Sequence, residues 1–196
     1  LFLLPLLLFG TEGLDAPEEA APTGELPIDR TVVTPQPSMD SQTQIRVALD
    51  DGSVLTLGLD QYLWRVVAAE MPASFEPEAL KAQAAAARTY TLSKLGRTVE
   101  NHPDADVCTD ITCCQAYIDP DQAAANWGDS AAAYTAKITA AVSGTDGMAI
   151  LYGGQPIQAV FFSSAAGRTV DAVEVWGNSV PYLTSVDSPG GEGGPN

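Results

Sequence analysis

Glu70 is the residue of this chain best suited by its surroundings to acid–base chemistry. Four aliphatic residues recur at the spacing of one helix face, and the same stripe continues to Glu70: Leu59, Leu63, Val66 and Val67. Burial disfavours a charged carboxylate and raises its pKa, which suits a proton donor that works near neutral pH. The pattern therefore predicts either an acid catalyst or a structural glutamate paired with Arg88.

A second group of reactive side chains lies in one short segment and consists of His102, Cys108, Cys113 and Cys114. Imidazole and thiolate are ligands that zinc prefers, so the segment predicts a zinc site. Adjacent cysteines do not easily both point at one tetrahedral ion, which leaves Cys113 as a bystander or a competitor for the fourth position. The alternative is a disulfide from Cys108 to Cys113 or Cys114 in an oxidising compartment, with His102 solvated. The odd number of cysteines, three, argues against a complete disulfide framework.

Two predicted helices position Glu70 and its neighbours. The first covers residues 59–70, with Asp60 as its N-cap and Pro72 as its stop, because a residue before proline is biased out of the helical region. The second begins near Pro77 and ends at Gly96, and its inward face is predicted to comprise Leu80, Ala84, Ala87, Thr91 and Leu95. Gln83 and Arg88 border that face. They could bind a polar ligand or orient Glu70, although a glutamine in the position of Gln83 is more often a solvated helix residue.

The remaining pattern predicts an α+β fold, with helices packed on a mostly antiparallel sheet that carries a substrate cleft. Residues 45–59 alternate around an Asp-Asp-Gly-Ser turn and predict a β-hairpin. Helices are expected at 121–125 and 131–142, the latter closed by Gly144. A second hairpin is expected around Gly153-Gly154, which would join a strand at 149–152 to one at 157–162.

The first 44 residues differ in kind from the rest of the chain. Residues 1–10 are almost wholly apolar and indicate the remnant of a membrane anchor or a signal segment, whereas 11–44 form an acidic, Pro-rich linker. The folded domain is expected over 45–196 and to be truncated at its C-terminal end. The formal net charge of -16 argues against nucleic acid or an anionic membrane surface as a partner, because phosphate neutralisation requires Lys and Arg.

Several strings, in this order, resemble the stage II sporulation protein D (SpoIID) family over approximately residues 45–189: VVAAEMPASFEPEALKAQAAAARTY, HPDADVCTDITCCQAY, FFSSAAGRT and VWGNSVPYL. The resemblance implies a membrane-anchored, extracytoplasmic lytic transglycosylase of peptidoglycan that acts during sporulation and engulfment. It implies Glu70 as the catalytic acid and Arg88 as part of the active-site region. It implies zinc as the cofactor, with His102, Cys108 and Cys114 as ligands.

The resemblance also implies that Ser163 and Ser164 face the substrate cleft. Zinc could in principle activate water for hydrolysis, or it could instead hold the loop that carries Gln115 and Tyr117, two further expected binding residues, against the cleft. A serine-hydrolase mechanism lacks support, because no Gly-x-Ser-x-Gly motif surrounds the serine pair. The expected partners are glycan strands and other sporulation proteins that remodel the wall, among them an amidase.

The expected reaction cleaves the β-1,4 bond between N-acetylmuramic acid and N-acetylglucosamine with a single carboxyl group and yields a 1,6-anhydro product. A conventional glycoside hydrolase would need a second carboxylate, and Glu76 and Glu78 instead suit the start of a helix. Two alternatives stay open at this point. One is a non-catalytic glycan-binding enhancer of a cell-wall amidase, and the other is a zinc hydrolase.

Overall fold

The computed structural model describes residues 37–162, 165 and 167–189. The anchor segment 1–10, the linker as far as residue 36 and the serine pair at 163 and 164 lie outside the described residues. The elements, in chain order, are α1 (Met39–Gln42), β1 (Gln44–Ala48), β2 (Val54–Gly58), α2 (Leu59–Glu70), α3 (Pro77–Lys94), β3 (Val107–Cys108), α4 (Pro120–Trp127), a 3-10 turn (Gly128–Ser130), α5 (Ala131–Ser143), β4 (Leu151–Tyr152), β5 (Gln155–Pro156), β6 (Gly167–Arg168), α6 (Ala172–Trp176) and β7 (Asp187–Ser188). The fold is a mixture of helices and small sheets, as the sequence predicts.

The largest sheet has three strands in the order β2-β1-β3. β1 and β2 form the predicted antiparallel hairpin, which turns at Gly52 with a φ of 84°. β3 pairs with the other edge of β1 in the parallel direction, with Val47 opposite Val107. The strand pairings in the described residues are therefore mostly antiparallel, as expected, and the short β1–β3 pairing is the parallel exception. A parallel neighbour needs a long crossover, and α2 and α3 supply it between β1 and β3.

Helix α2 ends where the sequence predicts but is capped differently. Met71 is extended (φ -134°, ψ 134°) ahead of Pro72, so Glu70 is the last helical residue. At the other end Gly58 is the N-cap and Asp60 lies inside the first turn, which corrects the assignment of Asp60 as the cap. The side-chain oxygen of Gln61 accepts a hydrogen bond from the Gly58 nitrogen at 3.2 Å and so satisfies a donor ahead of the helix.

Helix α3 follows the predicted limits closely. Pro77 occupies its first turn, and Gly96 adopts a left-handed φ of 71° just beyond its end. Four of the five residues predicted on its inward face are buried, and Leu95 packs partly buried against the core. α3 packs against α2 and α5, and the shared core consists mainly of Ile45, Val47, Leu59, Tyr62, Leu63, Val66, Val67, Leu80, Ala84, Ala87, Val107 and Ile138.

The folded part extends into the segment expected to be linker, because α1 precedes residue 45. The carboxylate of Asp40 is 2% exposed and forms an ion pair with Arg88 at 2.6 Å. The two carboxylate oxygens of Asp146 each accept a 2.9 Å hydrogen bond from the backbone of α1, at Met39 and Asp40. Charges distant in sequence thus fasten this short helix to the domain, which composition alone does not indicate.

The C-terminal part contains shorter strands than expected. The Gly153-Gly154 turn is present, with φ values of 58° and 78°, but β4 and β5 contain two residues each. Pro156 has no N–H to donate, and beyond Ile157 the chain turns locally, with the Val160 nitrogen bonded to the Gln158 oxygen at 3.0 Å. Within the described ranges, no helix combines the length and the apolar character required to cross a bilayer.

Candidate functional site

Glu70 lies half-buried at the C-terminal end of α2. Its Oε1 accepts a 2.7 Å hydrogen bond from the backbone nitrogen of Ala116. Within the described part of the chain this is the one hydrogen bond to the Glu70 side chain, so Oε2 has no protein donor there. One carboxylate oxygen is therefore fixed in place while the other is available to a ligand.

The loop that supplies the Ala116 donor is held by its own turn and by α3. The nitrogens of Cys113 and Cys114 both donate to the Asp110 carbonyl, at 3.1 and 2.8 Å. The Tyr90 hydroxyl on α3 donates to the Cys113 carbonyl at 3.2 Å. Because these bonds fix residues 110–114, they also fix the position of the Ala116 nitrogen relative to Glu70.

The same loop brings four potential metal ligands together. One ligand atom from each of His102, Cys108, Cys113 and Cys114 lies within 4.8 Å of the others. His102 Nε2 is 3.4 Å from the Cys114 sulfur, which is 4.0 Å from the Cys113 sulfur. The three cysteines are free thiols. The structure therefore groups Cys113 with the ligand set that the family resemblance implies, and it does not support the disulfide alternative.

These distances fit one tetrahedral ion. From a zinc–sulfur bond of about 2.3 Å and a zinc–nitrogen bond of about 2.0–2.1 Å, the ligand atoms should lie about 3.8 Å (S to S) and about 3.5 Å (N to S) apart. His102 Nδ1 is 3.1 Å from the Ala105 carbonyl oxygen, which can only accept a hydrogen bond. The ring proton therefore belongs on Nδ1, and Nε2 presents its lone pair to the cluster.

Two thiols of the cluster, those of Cys108 and Cys114, hold their protons tightly. Burial raises the pKa of Cys108 to about 12, with a further increase from the neighbouring Cys113 and Cys114 thiols. Burial also raises the pKa of Cys114. A cation that binds here must displace these protons, so the site favours ions with high thiolate affinity.

The residues expected to bind substrate lie in different environments. Tyr117 is half-buried next to the Glu70 donor, and its ring centroid is 6.3 Å from that of Tyr62. Gln115 is 4% exposed, and its Oε1 accepts from Thr91 at 3.3 Å. Gln83 is 5% exposed on the inward face of α3, which corrects the interpretation of this residue as solvated. Both glutamines have a buried side-chain nitrogen without a hydrogen-bond partner among the residues that the structure describes.

Arg88 does not fit the prediction of a substrate-binding residue. Its side chain is fully buried, and its guanidinium donates to Asp40 and to the carbonyls of Val142 and Met148. The sequence suggests Glu70 as the partner of Arg88 in a structural ion pair. In the structure the partner of Arg88 is Asp40. Arg88 is therefore a structural residue that joins α1, α3 and α5.

Arg65 is a residue near the site that the sequence pattern did not predict. It lies on α2 between Leu63 and Val66, which the pattern did place on a helix. Its guanidinium carbon is 6.0 Å from the Tyr117 ring centroid, and its Nη1 donates to the Gln61 carbonyl at 2.8 Å. Burial raises the pKa of Tyr117, and the positive charge of Arg65 partly opposes that effect. Arg65 lies off the apolar stripe of α2, so the hydrophobic pattern of the sequence gives no signal that identifies it.

Two aromatic residues near the C-terminal end, Trp176 and Tyr182, line an apolar cavity of about 690 Å³ together with Phe161 and Arg168. Trp176 is 54% exposed, so it is not packed in the core. Arg168 pairs with the exposed Asp187 at 2.9 Å. The lining of this cavity is mostly apolar and aromatic.

Comparison with known proteins connects these features to a family. The SpoIID family model, described as "Stage II sporulation protein", matches residues 51–152. Stage II sporulation protein D of Bacillus subtilis (strain 168) is 41% identical over 138 residues, which are 70% of this chain and 40% of that protein. The protein of the same name from Bacillus amyloliquefaciens gives the same identity and coverage. The Amidase enhancer of Bacillus subtilis (strain 168) is 38% identical over 118 residues, 60% of this chain and 14% of that protein.

The chain thus spans about two fifths of the length of the two stage II sporulation protein D relatives. The matched range includes Glu70, the Ala116 donor and all four residues of the thiol–imidazole cluster. It also contains α2 to α5, the helices that position them. The chain belongs to the SpoIID family of stage II sporulation proteins.

Proposed function

We propose that this domain is a lytic transglycosylase that cleaves the β-1,4 bond between N-acetylmuramic acid and N-acetylglucosamine in peptide-free glycan strands. The observation that carries the proposal is the Glu70 carboxyl group, half-buried at a helix end with Oε1 fixed by the Ala116 N–H at 2.7 Å. A fixed carboxyl group with one available oxygen is suited to general acid–base catalysis.

In the proposed reaction, protonated Glu70 transfers its proton to the glycosidic oxygen. The bond from that oxygen to C1 of the muramic residue breaks and releases the 4-hydroxyl of N-acetylglucosamine. The C6 hydroxyl oxygen of the same muramic residue attacks C1, and its proton passes to the Glu70 carboxylate. The products are a 1,6-anhydro sugar end and a regenerated acid, and no water is consumed.

A single carboxyl group suffices for this reaction. The two glutamates that follow Glu70 most closely in the sequence are not placed to supply a second one. Glu76 and Glu78 are both exposed at the start of α3, and Glu78 pairs with Lys81 at 2.7 Å. Hydrolysis would require a second carboxylate across the scissile bond. The positions of Glu76 and Glu78 instead favour a role at the N-terminus of α3, where negative charge stabilises the helix.

We also propose zinc as the cation held by His102, Cys108, Cys113 and Cys114. The thiol-rich ligand set and the distances near those of a tetrahedron support this choice. A zinc ion with these four protein ligands would cross-link the loop that contains them. It would have no open coordination position for an activated water. The residues around the cluster then hold the Ala116 donor in line with Glu70, which supports the transglycosylase over a zinc hydrolase.

A second function, a glycan-binding enhancer of a cell-wall amidase, is favoured by one specific observation. A relative that is 38% identical over 60% of this chain is named Amidase enhancer. In that case Glu70 would contribute to binding and not to bond cleavage. Other wall-remodelling proteins of sporulation, including an amidase, are the partners that either function suggests.

The proposed location is the outer face of the cell membrane, where peptidoglycan lies. It rests on the apolar residues 1–9, which precede an acidic stretch in the sequence. A single anchor there, followed by a linker, would allow the domain to reach the wall. Fractionation of cells that express the tagged protein, with protease accessibility of the domain, tests this location.

The function is tested by incubating peptide-free glycan strands with the protein and with its Glu70→Gln variant, and by analysing the products by mass spectrometry. Anhydromuramyl ends that disappear in the variant are the expected result. Reducing ends would instead indicate hydrolysis and overturn the proposal. Strand binding without any product, together with stimulation of a purified amidase, would establish the enhancer.

A further inference from the structure

Tyr62 carries a buried hydrogen-bond donor that the rest of the described structure leaves unused. The residue lies on the core-facing side of α2 and is 0% exposed. Its hydroxyl has no hydrogen-bond partner among the described residues. A buried hydroxyl of this kind is unfavourable, because it has lost its contact with water without gaining another acceptor. Such a group is a candidate for a hydrogen bond that forms only when the domain binds something.

The other unpaired donors buried in the described part of the chain have alternatives that Tyr62 lacks. They belong to Arg65, Gln83 and Gln115. The Arg65 guanidinium already donates through another nitrogen to the Gln61 carbonyl at 2.8 Å. A glutamine can turn its amide over, which exchanges the positions of the oxygen and the nitrogen. The hydroxyl is the one polar group of the Tyr62 side chain and sits at the end of a rigid ring.

Tyr62 belongs to the part of the core that contacts the loop of the thiol–imidazole cluster. Cys114 packs partly buried against that core. Tyr117, three residues further along the loop, has its ring centroid 6.3 Å from that of Tyr62. Burial raises the pKa of the Tyr62 hydroxyl well above its usual value, and the next largest contribution comes from Cys114. The sulfur of Cys114 is therefore the acceptor that this placement favours.

The charge on the sulfur decides how strong such a hydrogen bond is. Cys114 is a free thiol in this structure, and a thiol sulfur is a weak acceptor. Hydrogen bonds to charged acceptors, such as a thiolate, are roughly twice as strong as those between neutral groups. Three thiolates outweigh the charge of one zinc ion, so the loaded site would be anionic and would gain from a buried O–H donor. The hydroxyl of Tyr90 is already bonded to the Cys113 carbonyl.

We propose that the Tyr62 hydroxyl donates a hydrogen bond to the Cys114 sulfur once that sulfur is a metal-bound thiolate. The inference rests on the cation site proposed above and adds a residue outside the ligand set that raises its affinity. Partners of this kind orient metal ligands and tune the metal. Because Tyr62 lies on the helix whose last residue is Glu70, the bond also connects the cation site to α2 independently of Ala116.

The test compares the natural protein with its Tyr62→Phe variant, which lacks only the hydroxyl group and keeps the ring in the core. Zinc affinity is measured by competition with a chromophoric chelator, and a loss of about tenfold to a hundredfold is expected. Cobalt(II) then replaces zinc, because its sulfur-to-metal charge-transfer band reports the electron density on the thiolates. Loss of a hydrogen bond to sulfur should shift that band to longer wavelength, which a merely structural role of Tyr62 would not do.

Tyr134→Phe is the matched control. It removes the hydroxyl of a partly buried tyrosine on α5 whose ring centroid is 5.7 Å from that of Trp127. Its zinc affinity and its cobalt band should equal those of the natural protein. The acceptor is identified by repeating Tyr62→Phe in a Cys114→Ser background, where no further loss of affinity is expected. A full additional loss there would contradict the assignment of Cys114 as the acceptor.

The remaining outcomes separate the inference from the proposal on which it rests. Unchanged affinity and an unmoved band in Tyr62→Phe would refute the inference while the cation site stands. A weaker affinity with an unmoved band would assign Tyr62 a packing role and refute it as well. If the natural protein binds neither zinc nor cobalt, the proposed cation fails and the Tyr62 assignment fails with it, whereas the role of Glu70 is judged separately from the glycan products.

Discussion

The backbone N–H of Ala116 donates a 2.7 Å hydrogen bond to Oε1 of Glu70 across 46 positions of the sequence. Ala116 lies two residues beyond Cys114, a member of the thiol–imidazole cluster. Whatever fixes the cluster therefore also fixes one oxygen of the candidate acid. This relationship connects the candidate metal ligands to the candidate acid through the backbone of one short loop.

Replacement of Glu70 by Gln should abolish proton transfer but preserve the fold. The amide oxygen can still accept from the Ala116 N–H, whereas the side chain cannot donate and recover a proton as a carboxyl group does. We expect turnover of peptide-free strands to fall by about 10²–10⁴-fold with an unchanged thermal unfolding midpoint. Glu78→Gln, which removes an exposed carboxylate, is the control and should retain full turnover. A Glu70→Gln protein that still forms anhydro ends would refute the acid assignment.

Replacement of Cys113 by Ser tests whether the cation has four protein ligands. If it does, zinc affinity measured by competition with a chromophoric chelator should fall as strongly in Cys113→Ser as in Cys114→Ser. Affinity should also fall as the pH is lowered, because burial raises the pKa of Cys108 to about 12 and protons compete with the metal. An unchanged affinity in Cys113→Ser would indicate three ligands and an open position, and would favour the zinc hydrolase again.

Replacement of Asp40 by Asn should strongly destabilise the domain. It leaves the fully buried Arg88 guanidinium without a counter-charge, which typically costs about 3–5 kcal/mol. Urea unfolding at neutral pH measures the loss. Asp187→Asn provides the comparison, because it breaks an Arg–Asp pair that is exposed on both sides and should cost less than about 1 kcal/mol. Similar small losses in both variants would show that α1 is not fastened through Arg88.

Replacement of Asp146 by Asn should change how stability depends on pH. Burial raises the pKa of Asp146, but hydrogen bonds from the backbone of Asp40 and Met39 and the charge of Arg88 outweigh it, so the pKa lies below its usual 3.8. A depressed folded-state pKa gives stability that is fully present above the unfolded value and is lost as the pH falls through the folded value.

The free energy of unfolding of the natural protein should therefore decline more steeply than that of Asp146→Asn as the pH falls from about 5 to about 2. Urea titrations across that range measure the difference. Asp129→Asn, at an exposed position beyond α4, should decline in parallel with the natural protein. Parallel curves for Asp146→Asn would mean that the capping bonds to α1 do not contribute to stability.

Local signals in the sequence predicted the parts of the structure that depend on a few neighbouring residues. Pro72 and Pro77 mark helix limits because proline restricts the backbone dihedrals at its own position and at the one before it. Gly96 marks a helix end because glycine, having no Cβ, readily adopts the left-handed φ of 71° found there. The alternating segments on either side of Gly52 likewise predicted the β1–β2 hairpin. Glu70 was identified as a candidate from its place on an apolar helix face.

The tertiary structure decided the features that depend on which distant groups meet. The sequence suggests Glu70 as the partner of Arg88, but in the structure the buried guanidinium pairs with Asp40 of α1, 48 positions away. It was also folding that joined β3 to β1 in parallel and brought Cys113 into the cluster. Backbone preferences act over a few residues, whereas ion pairs and ligand sets depend on the packing of whole elements, and a pattern along the chain carries little information about that packing.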